Sequence, residues 1–340
     1  MKKVLVGISG GVDSSVSALL LQKEGYEVIG ATMKLIDADT SGSKEICDKL
    51  NIKYIELDCK EMFKKCVINY FIEEYKNTHT PNPCIECNKK LKFGYMYKYV
   101  KENNIDYIAT GHYAKVEYSD VYKRYVLKKA DNKEKDQSYF LYAIDKEILP
   151  KLLFPLSKFN NKEEIREIAK HNNLSVHSKS DSQDICFIED GNYKKYLEEN
   201  SDIKSKIGNV IFNGKVIGNH TGLYKYTIGQ RKGLGLSHET PLYVIGYNKD
   251  QNELIVGEEN DLYVDSFEVT NYNLLAIDDI DKSLKVNVKT RYKSLEYPAE
   301  IIKAENELVV KLEKPIKGVT KGQSAVFYID DVVIGGGIIK

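Results

Sequence analysis

Val4-Leu5-Val6-Gly7-Ile8-Ser9-Gly10-Gly11-Val12-Asp13-Ser14 is the stretch on which the fold turns. Val4 to Ile8 reads as a buried strand. From about Asp13 to Lys23 the spacing of Val16, Leu19 and Leu20 predicts a helix with one buried face, stopped by Gly25. Between strand and helix, glycines permit a tight turn whose N–H groups can face an anion. The helix N-terminus adds partial positive charge there. Ser9 and Ser14 offer hydroxyl donors, and Asp13 can hold Mg²⁺ against phosphates. A Walker loop is excluded, because no Gly-Lys-Ser/Thr follows. Gly7-Ile8-Ser9-Gly10-Gly11 fits the G-x-S-x-G nucleophile elbow, but that elbow normally follows several strands and this strand is the first. A glycine-rich turn without a ligand is the bland alternative.

The same alternation continues outward. Tyr26 to Met33 (strand), Lys44 to Leu50 (helix), Ile52 to Leu57 (strand), Cys59 to Tyr75 (helix) and Ile105 to Thr110 (strand) predict a parallel α/β sheet with helices on both faces. Beyond about Asp202 the rhythm changes. Residues 208–218 hold two apolar runs around Asn213-Gly214, a hairpin signature. Runs such as Val286 to Thr290 and Leu308 to Leu312 predict a small antiparallel barrel. The expected organisation is residues 1–201, a parallel-sheet domain; 202–263, a small β-rich domain; and 264–340, a β-barrel.

Composition bounds the function. Fifty basic residues balance fifty acidic ones, so any nucleic acid must be met by local patches rather than by net charge. Asn88 to Lys101 carries five lysines and no acid, interleaved with Tyr95, Tyr97 and Tyr99; Tyr122 to Lys135 carries six basic residues against two acidic ones. Each patch suits phosphate contact or plain solvation equally. The N-terminus enters a strand without a signal-type segment and no long apolar run follows, so a cytoplasmic protein without membrane contact is expected. Six cysteines without regular spacing are not a disulfide framework. Cys47, Cys59 and Cys66 fall in helix or strand patterns and read as packing residues. Cys84 and Cys87 form a CxxC stiffened by Pro81 and Pro83, and Cys186 lies in a comparably polar setting. Incidental burial, half a zinc site or thiol chemistry beside an adenylating loop are the readings open to them.

The string Ser9-Gly10-Gly11-Val12-Asp13-Ser14 resembles the phosphate loop of the ATP-pyrophosphatase (PP-loop) superfamily. Further segments resemble one family within it, the tRNA-specific 2-thiouridylases. They include Thr80-Pro81-Asn82-Pro83, Cys87-Asn88, Ala109-Thr110-Gly111-His112-Tyr113, Lys135 to Leu141, Asp184 to Ile188, Gly229 to Gly235, Lys289 to Tyr292, Gly322 to Tyr328 and Gly335 to Ile339. The resemblance implies an adenine nucleotide alpha hydrolase-like domain followed by the two β units, and ATP-dependent 2-thiolation of the wobble uridine of tRNA. It implies a nucleotide site from Gly7, Ile8, Ser9, Gly10, Gly11, Val12, Asp13 and Ser14 with Met33 and Gly111. Cys87 matches the nucleophile and Cys186 the persulfide carrier. Asn82, Pro83 and Cys84 match the segment that meets the target base. His112, Lys135, Asp136, Gln137, Arg291, Tyr292 and Gln323 match tRNA-contacting positions. Implied partners are tRNAs for Lys, Glu and Gln and a cysteine desulfurase or sulfur relay protein.

Two departures stand out. Cys84 replaces the aspartate many relatives carry, so a carboxylate acid/base is absent there. Either a thiol moves the proton, or Cys84, Cys87 and Cys186 hold a [4Fe-4S] cluster, as in related thiolases with three cysteines. The stretch between Lys34 and Lys44 is also shorter than the family's. Outside this family, a small-molecule adenylating ligase would leave the cysteines and the β half unused, and a non-catalytic RNA- or metal-binding module would leave the phosphate loop unused.

Overall fold

The computed structural model describes residues 1–178 and 185–340. β1 (Lys3–Gly7) carries Val4, Leu5 and Val6, all fully buried, because the strand is covered on both faces. It pairs in parallel with β2 (Glu27–Lys34) on one side and β4 (Tyr107–Ala109) on the other. With β3 (Lys53–Asp58) and the short β7 (Leu152–Leu153), the order is β3-β2-β1-β4-β7. Strand order therefore reverses at β1, and the crevice beyond the carboxyl ends of β1 and β4 is where open parallel sheets place ligands.

α1 (Val12–Lys23) differs from the amphipathic expectation. Val16 and Leu19 are buried and Leu20 is half-buried, but Ser14, Ser15 and Ser17 are buried as well. Their hydroxyls bond back into the helix: Ser15 Oγ to Gly11 O at 2.8 Å and Ser17 Oγ to Asp13 O at 2.8 Å. Gly25 ends the helix at φ +89°, as expected. α2 (Ser41–Lys49) follows β2. Two longer helices run over residues 60–76 and 83–102, and each contains a π-helical segment, Lys64–Ile68 and Asn88–Tyr95. Gly94 sits inside the second, where a Cβ would meet Lys89 O at 2.8 Å.

The hairpin of β5 (Lys115–Ser119) and β6 (Arg124–Lys128) leaves the parallel sheet and reaches toward the C-terminal half. β8 (Gly208–Phe212), β9 (Lys215–His220), β10 (Tyr243–Asn248) and β11 (Glu253–Gly257) form a four-stranded sheet, with the expected hairpin between β8 and β9. β12 (Tyr263–Leu274), β13 (Ser283–Lys289), β14 (Tyr297–Ala304), β15 (Glu307–Lys317), β16 (Ser324–Ile329) and β17 (Val332–Ile339) close into a barrel through β12–β17 pairing. β6 attaches to β17 at Val332 and Lys128. The architecture is thus a parallel α/β domain, a small β domain and a β-barrel.

The barrel shares its core with the α/β domain. Val326, Tyr328 and Val333 pack in one cluster with Tyr139, Tyr142 and Leu91. Tyr139 donates its hydroxyl to Ser324 O at 2.9 Å. Gly336 lies at this seam, where a Cβ would meet Ala325 O at 2.6 Å and the Tyr142 ring at 2.8 Å. Gly336→Val is expected to cost about 2 kcal/mol or more, measured by urea denaturation. Gly42→Ala, on an exposed helical position with open space around it, is the contrast and should be neutral or slightly stabilising.

Candidate active site

The turn after β1 is built as an anion cradle. Gly10 has φ +74°, and Gly11 caps α1 in an extended conformation without a side-chain bond to the helix. Ser14 Oγ accepts from Ser9 N at 3.1 Å and donates to Gly11 O at 3.1 Å. Thr32 donates to Ile8 O at 2.8 Å, tying the turn to β2. From the end of β4, Gly111 comes so close that a Cβ would lie 2.8 Å from Ser14 N and 2.9 Å from Asp13 C.

Asp13 is occupied by protein. Tyr113 donates its hydroxyl to Oδ1 at 3.0 Å, and Lys162 pairs with Oδ2 at 2.5 Å. The expected Mg²⁺ ligand therefore serves first to lock the loop. Lys162 comes from the helix Lys162–His171, which starts at Asn161, whose side chain accepts from Glu164 N at 2.8 Å. That Asn-x-x-Glu start ahead of buried Ile165 and Ala169 was the available signal for a helix that apolar alternation did not reveal.

A cavity of about 460 Å³ opens over this loop. Gly7, Ile8, Ser9, Asp13, Ser14, Met33 and Gly111 line it, whereas Gly10, Gly11 and Val12 shape the turn behind it. The short 34–44 stretch still supplies a wall, through residues such as Leu35, Ile36 and Thr40. His112, Gln137, Lys92 and Cys186 also line it.

Cys186 reaches the cavity because its neighbours anchor it. Phe187 is buried against Phe63, Phe71 and Tyr196, with ring centroids 5.3–5.6 Å apart. Ile188 closes the turn by donating to Ile185 O at 2.9 Å. Asp181 to Asp184 of the same motif lie outside the described residues. Cys84 and Cys87 begin the 83–102 helix, which Asn82 precedes and Pro83 opens. Cys84 is exposed and Cys87 buried. Burial pushes the Cys87 thiol up to about 11, and the Lys92 charge opposes that rise. Cys84 and Cys186 are raised by the same cause although both touch solvent: they sit in a cleft walled by protein on most sides.

All six cysteines are free thiols. Among the described residues no three His, Cys, Asp or Glu side chains converge to hold a metal ion. Cys84, Cys87 and Cys186 therefore do not present a cluster ligand set in this conformation. Cys47 and Cys59 are buried, as the packing reading expected, and Cys66 is half-buried.

Residues 2–190 match the family described as tRNA methyl transferase HUP domain, 194–258 the tRNA methyl transferase PRC-barrel domain and 264–339 the aminomethyltransferase beta-barrel domain. The tRNA-specific 2-thiouridylase MnmA of Acetivibrio thermocellus is 43% identical, over 100% of this chain and 99% of that protein. Those of Caldicellulosiruptor saccharolyticus and Clostridium beijerinckii are 42% and 43% identical, over 100% of this chain and 98% and 99% of theirs. The chain belongs to the tRNA-specific 2-thiouridylase family.

Several positions expected from the sequence to contact tRNA are engaged with protein. Asp136 is buried and accepts from Ala130 N at 2.9 Å and Ser138 Oγ at 2.7 Å, while burial raises its carboxyl. Gln137 Oε1 accepts from Tyr113 N at 3.0 Å. Arg291 donates to Ile228 O at 3.1 Å and to Thr320 Oγ1. Tyr292 packs on Phe140 with ring centroids 4.5 Å apart. Gln323 donates to Thr80 O at 2.7 Å, just ahead of Asn82. Lys135 follows the Asn132 turn, its N–H donating to Asn132 Oδ1 at 3.2 Å. Of these residues, Gln323 reaches from the barrel to the stretch that leads into the cysteine helix.

His112 Nδ1 meets Thr110 Oγ1 at 2.8 Å, and its ring lies near Phe93 and Phe154. Burial holds its pKa well below the ordinary 6.5, and the Lys92 charge adds to the effect. The folded state thus binds fewer protons than the unfolded chain, so stability is lost as pH falls below about 6.5. The loss is up to about 1.4 kcal/mol per pH unit. Urea midpoints between pH 7.5 and 5.5 should fall further in the native protein than in His112→Gln; parallel profiles would show that the ring ionises freely in the fold.

Proposed function

We propose that this chain catalyses ATP-dependent 2-thiolation of the wobble uridine of tRNA. The carrying observation is that one cavity is lined both by the phosphate loop and by the thiol of Cys186. The loop's N–H groups and α1 suit a polyphosphate. ATP placed there transfers AMP to O2 of the uracil, converting an oxygen that will not leave into one that leaves with AMP. The base must leave its stack to be reached, and the Asn82–Cys87 segment, which carries Cys84 and Cys87, is the part of the chain we expect to meet it. A persulfide on Cys186 attacks C2 through its terminal sulfur and AMP departs with the old O2. The Cys87 thiolate then attacks Cys186 Sγ, the S–S bond breaks toward the new C2 sulfur, and Cys87 and Cys186 end as a disulfide. The two thiol protons go to N3 of the base and to solvent. A reductant resets the pair, and a cysteine desulfurase or relay protein reloads Cys186. Mg²⁺ enters with the nucleotide, coordinated mainly by phosphate oxygens and water. The expected acceptors are tRNAs for Lys, Glu and Gln.

The test combines purified protein, ATP, a desulfurase with cysteine and unmodified tRNA, with pyrophosphate and 2-thiouridine measured together. Cys186→Ser and Cys87→Ser should lose thiolation at least a hundredfold while still releasing pyrophosphate; Cys84→Ser should keep it within tenfold. Iron-dependent activity that dies in Cys84→Ser would replace the persulfide route with a cluster. Pyrophosphate release with a small acceptor and none with tRNA would make the chain a ligase, and a methylated nucleoside would reject thiolation.

Gly111→Ala gives a second check. Its Cβ meets main-chain atoms of the loop rather than a side chain that can swing away. Affinity for a non-hydrolysable ATP analogue, by calorimetry, should fall at least tenfold with folding intact. Unchanged affinity would place the nucleotide elsewhere.

A further inference from the structure

The phosphate loop and the thiols leave one charge in the cavity unexplained. Lys92 lines it alongside Ser14, Gly111, His112 and Cys186. It stands five residues beyond Cys87 on the 83–102 helix, inside the π-helical segment Asn88–Tyr95. With 3.6 residues per α-helical turn, a residue five positions on faces well away from the first. The i→i+5 bonding of a π turn brings it back toward the same side, which sets the Lys92 stem along the Cys87 side of the helix. Its ammonium acts electrostatically on Cys84, Cys87, Cys186 and His112 together.

The cavity's acids are otherwise engaged. Asp13 is held by Lys162, and Asp39 accepts from Ser41 N at 2.9 Å and Ser41 Oγ at 2.6 Å. Lys92 makes no hydrogen bond or ion pair with the described residues. A half-buried ammonium without a carboxylate among the described residues, lining the same cavity as the Cys186 thiol, is arranged for an anion that arrives with the reaction.

We propose that Lys92 is a catalytic residue of sulfur transfer, its ammonium holding the terminal sulfur anion of the Cys186 persulfide against C2 of the activated base. This rests on the thiolation reading above. When the terminal sulfur bonds to C2 and the C2–O bond breaks, the positive charge faces the oxygen that departs on AMP. When the Cys87 thiolate attacks Cys186 Sγ, the same charge favours that thiolate. Lys92 itself neither gains nor loses a proton.

The test uses the full-length protein with Lys92→Gln and Lys92→Arg. The first readout needs neither ATP nor tRNA: iodoacetamide alkylation of Cys186 and Cys87 at pH 7.5, resolved by peptide mass spectrometry. Lys92→Gln should slow alkylation at both thiols at least threefold, and Lys92→Arg should stay within twofold of native. The second readout is single-turnover thiolation from persulfide-loaded protein. Lys92→Gln should lower its rate at least thirtyfold, with affinities for ATP and tRNA within twofold. Native alkylation with weakened tRNA binding would make Lys92 an ordinary backbone contact, and with weakened ATP binding a nucleotide ligand; either overturns the proposal. Should Lys92→Gln fail to fold, Lys92→Met keeps the aliphatic stem and is judged by the same thresholds. If native protein thiolates no tRNA, the functional reading fails by itself, and the alkylation series still reports whether Lys92 governs the thiols.

Discussion

The Asp13 carboxylate is the point on which the site depends. It sits in the first turn of α1, accepts from Tyr113 beyond β4, and pairs with Lys162 at the start of a helix 149 residues on. Three segments distant in the chain are thereby held at one switch point of the sheet. The Lys162 ammonium is largely enclosed, its side chain 10% exposed, so the pair is screened less than a surface bridge. Removing either partner would leave the other charge poorly solvated, a costlier defect than the pair's net worth. The loop is thus shaped before a ligand arrives, the condition under which N–H donors are most effective on a developing negative charge.

Preorganisation at the phosphate end contrasts with the cost at the sulfur end. A thiol with pKa about 11, as at Cys87, is ionised on the order of one part in ten thousand at neutral pH. Burial therefore works against the thiolate that the proposed sulfur transfer asks of Cys87. A carboxylate at position 84 would raise that cost further, since like charges oppose ionisation. Cysteine there is milder while protonated, and a nearby cation offsets part of the burden. The Lys92 charge acts on all three thiols and opposes the effect of burial on each.

Much of this was legible in the sequence because it is local. Strand, turn and helix around Ser9 to Ser14 follow from periodicity and glycine alone, and the strand-rich second half follows from its Asn-Gly hairpin and alternating runs. What periodicity does not encode is partnership across the chain. Nothing about Lys162 marks it as the partner of Asp13. Lys92 looks like one more lysine in a basic run until the π turn and the cavity single it out. The serines of α1 read as a polar face, yet they are buried, because hydroxyls that bond back to their own helix no longer need water.

The barrel illustrates why family positions and structural roles need not separate. Gln323 holds the Thr80 carbonyl, Arg291 links the central domain to the barrel, and Tyr292 covers Phe140, whose carbonyl accepts from Asn88 at 3.0 Å. Asn88 Oδ1 in turn is buried without a donor among the described residues. The cysteine segment is therefore supported through Gln323, whose amide is committed to the Thr80 carbonyl, and through Asn88, whose amide N–H is committed to the Phe140 carbonyl. For any of them to grip RNA, it must expose a remaining donor or exchange a protein partner for a nucleotide one. Such an exchange would move the support of Cys84 and Cys87 at the moment the tRNA docks. Recognition and alignment of the thiols would then be one event, because the atoms asked to grip RNA would be those that support the cysteine segment.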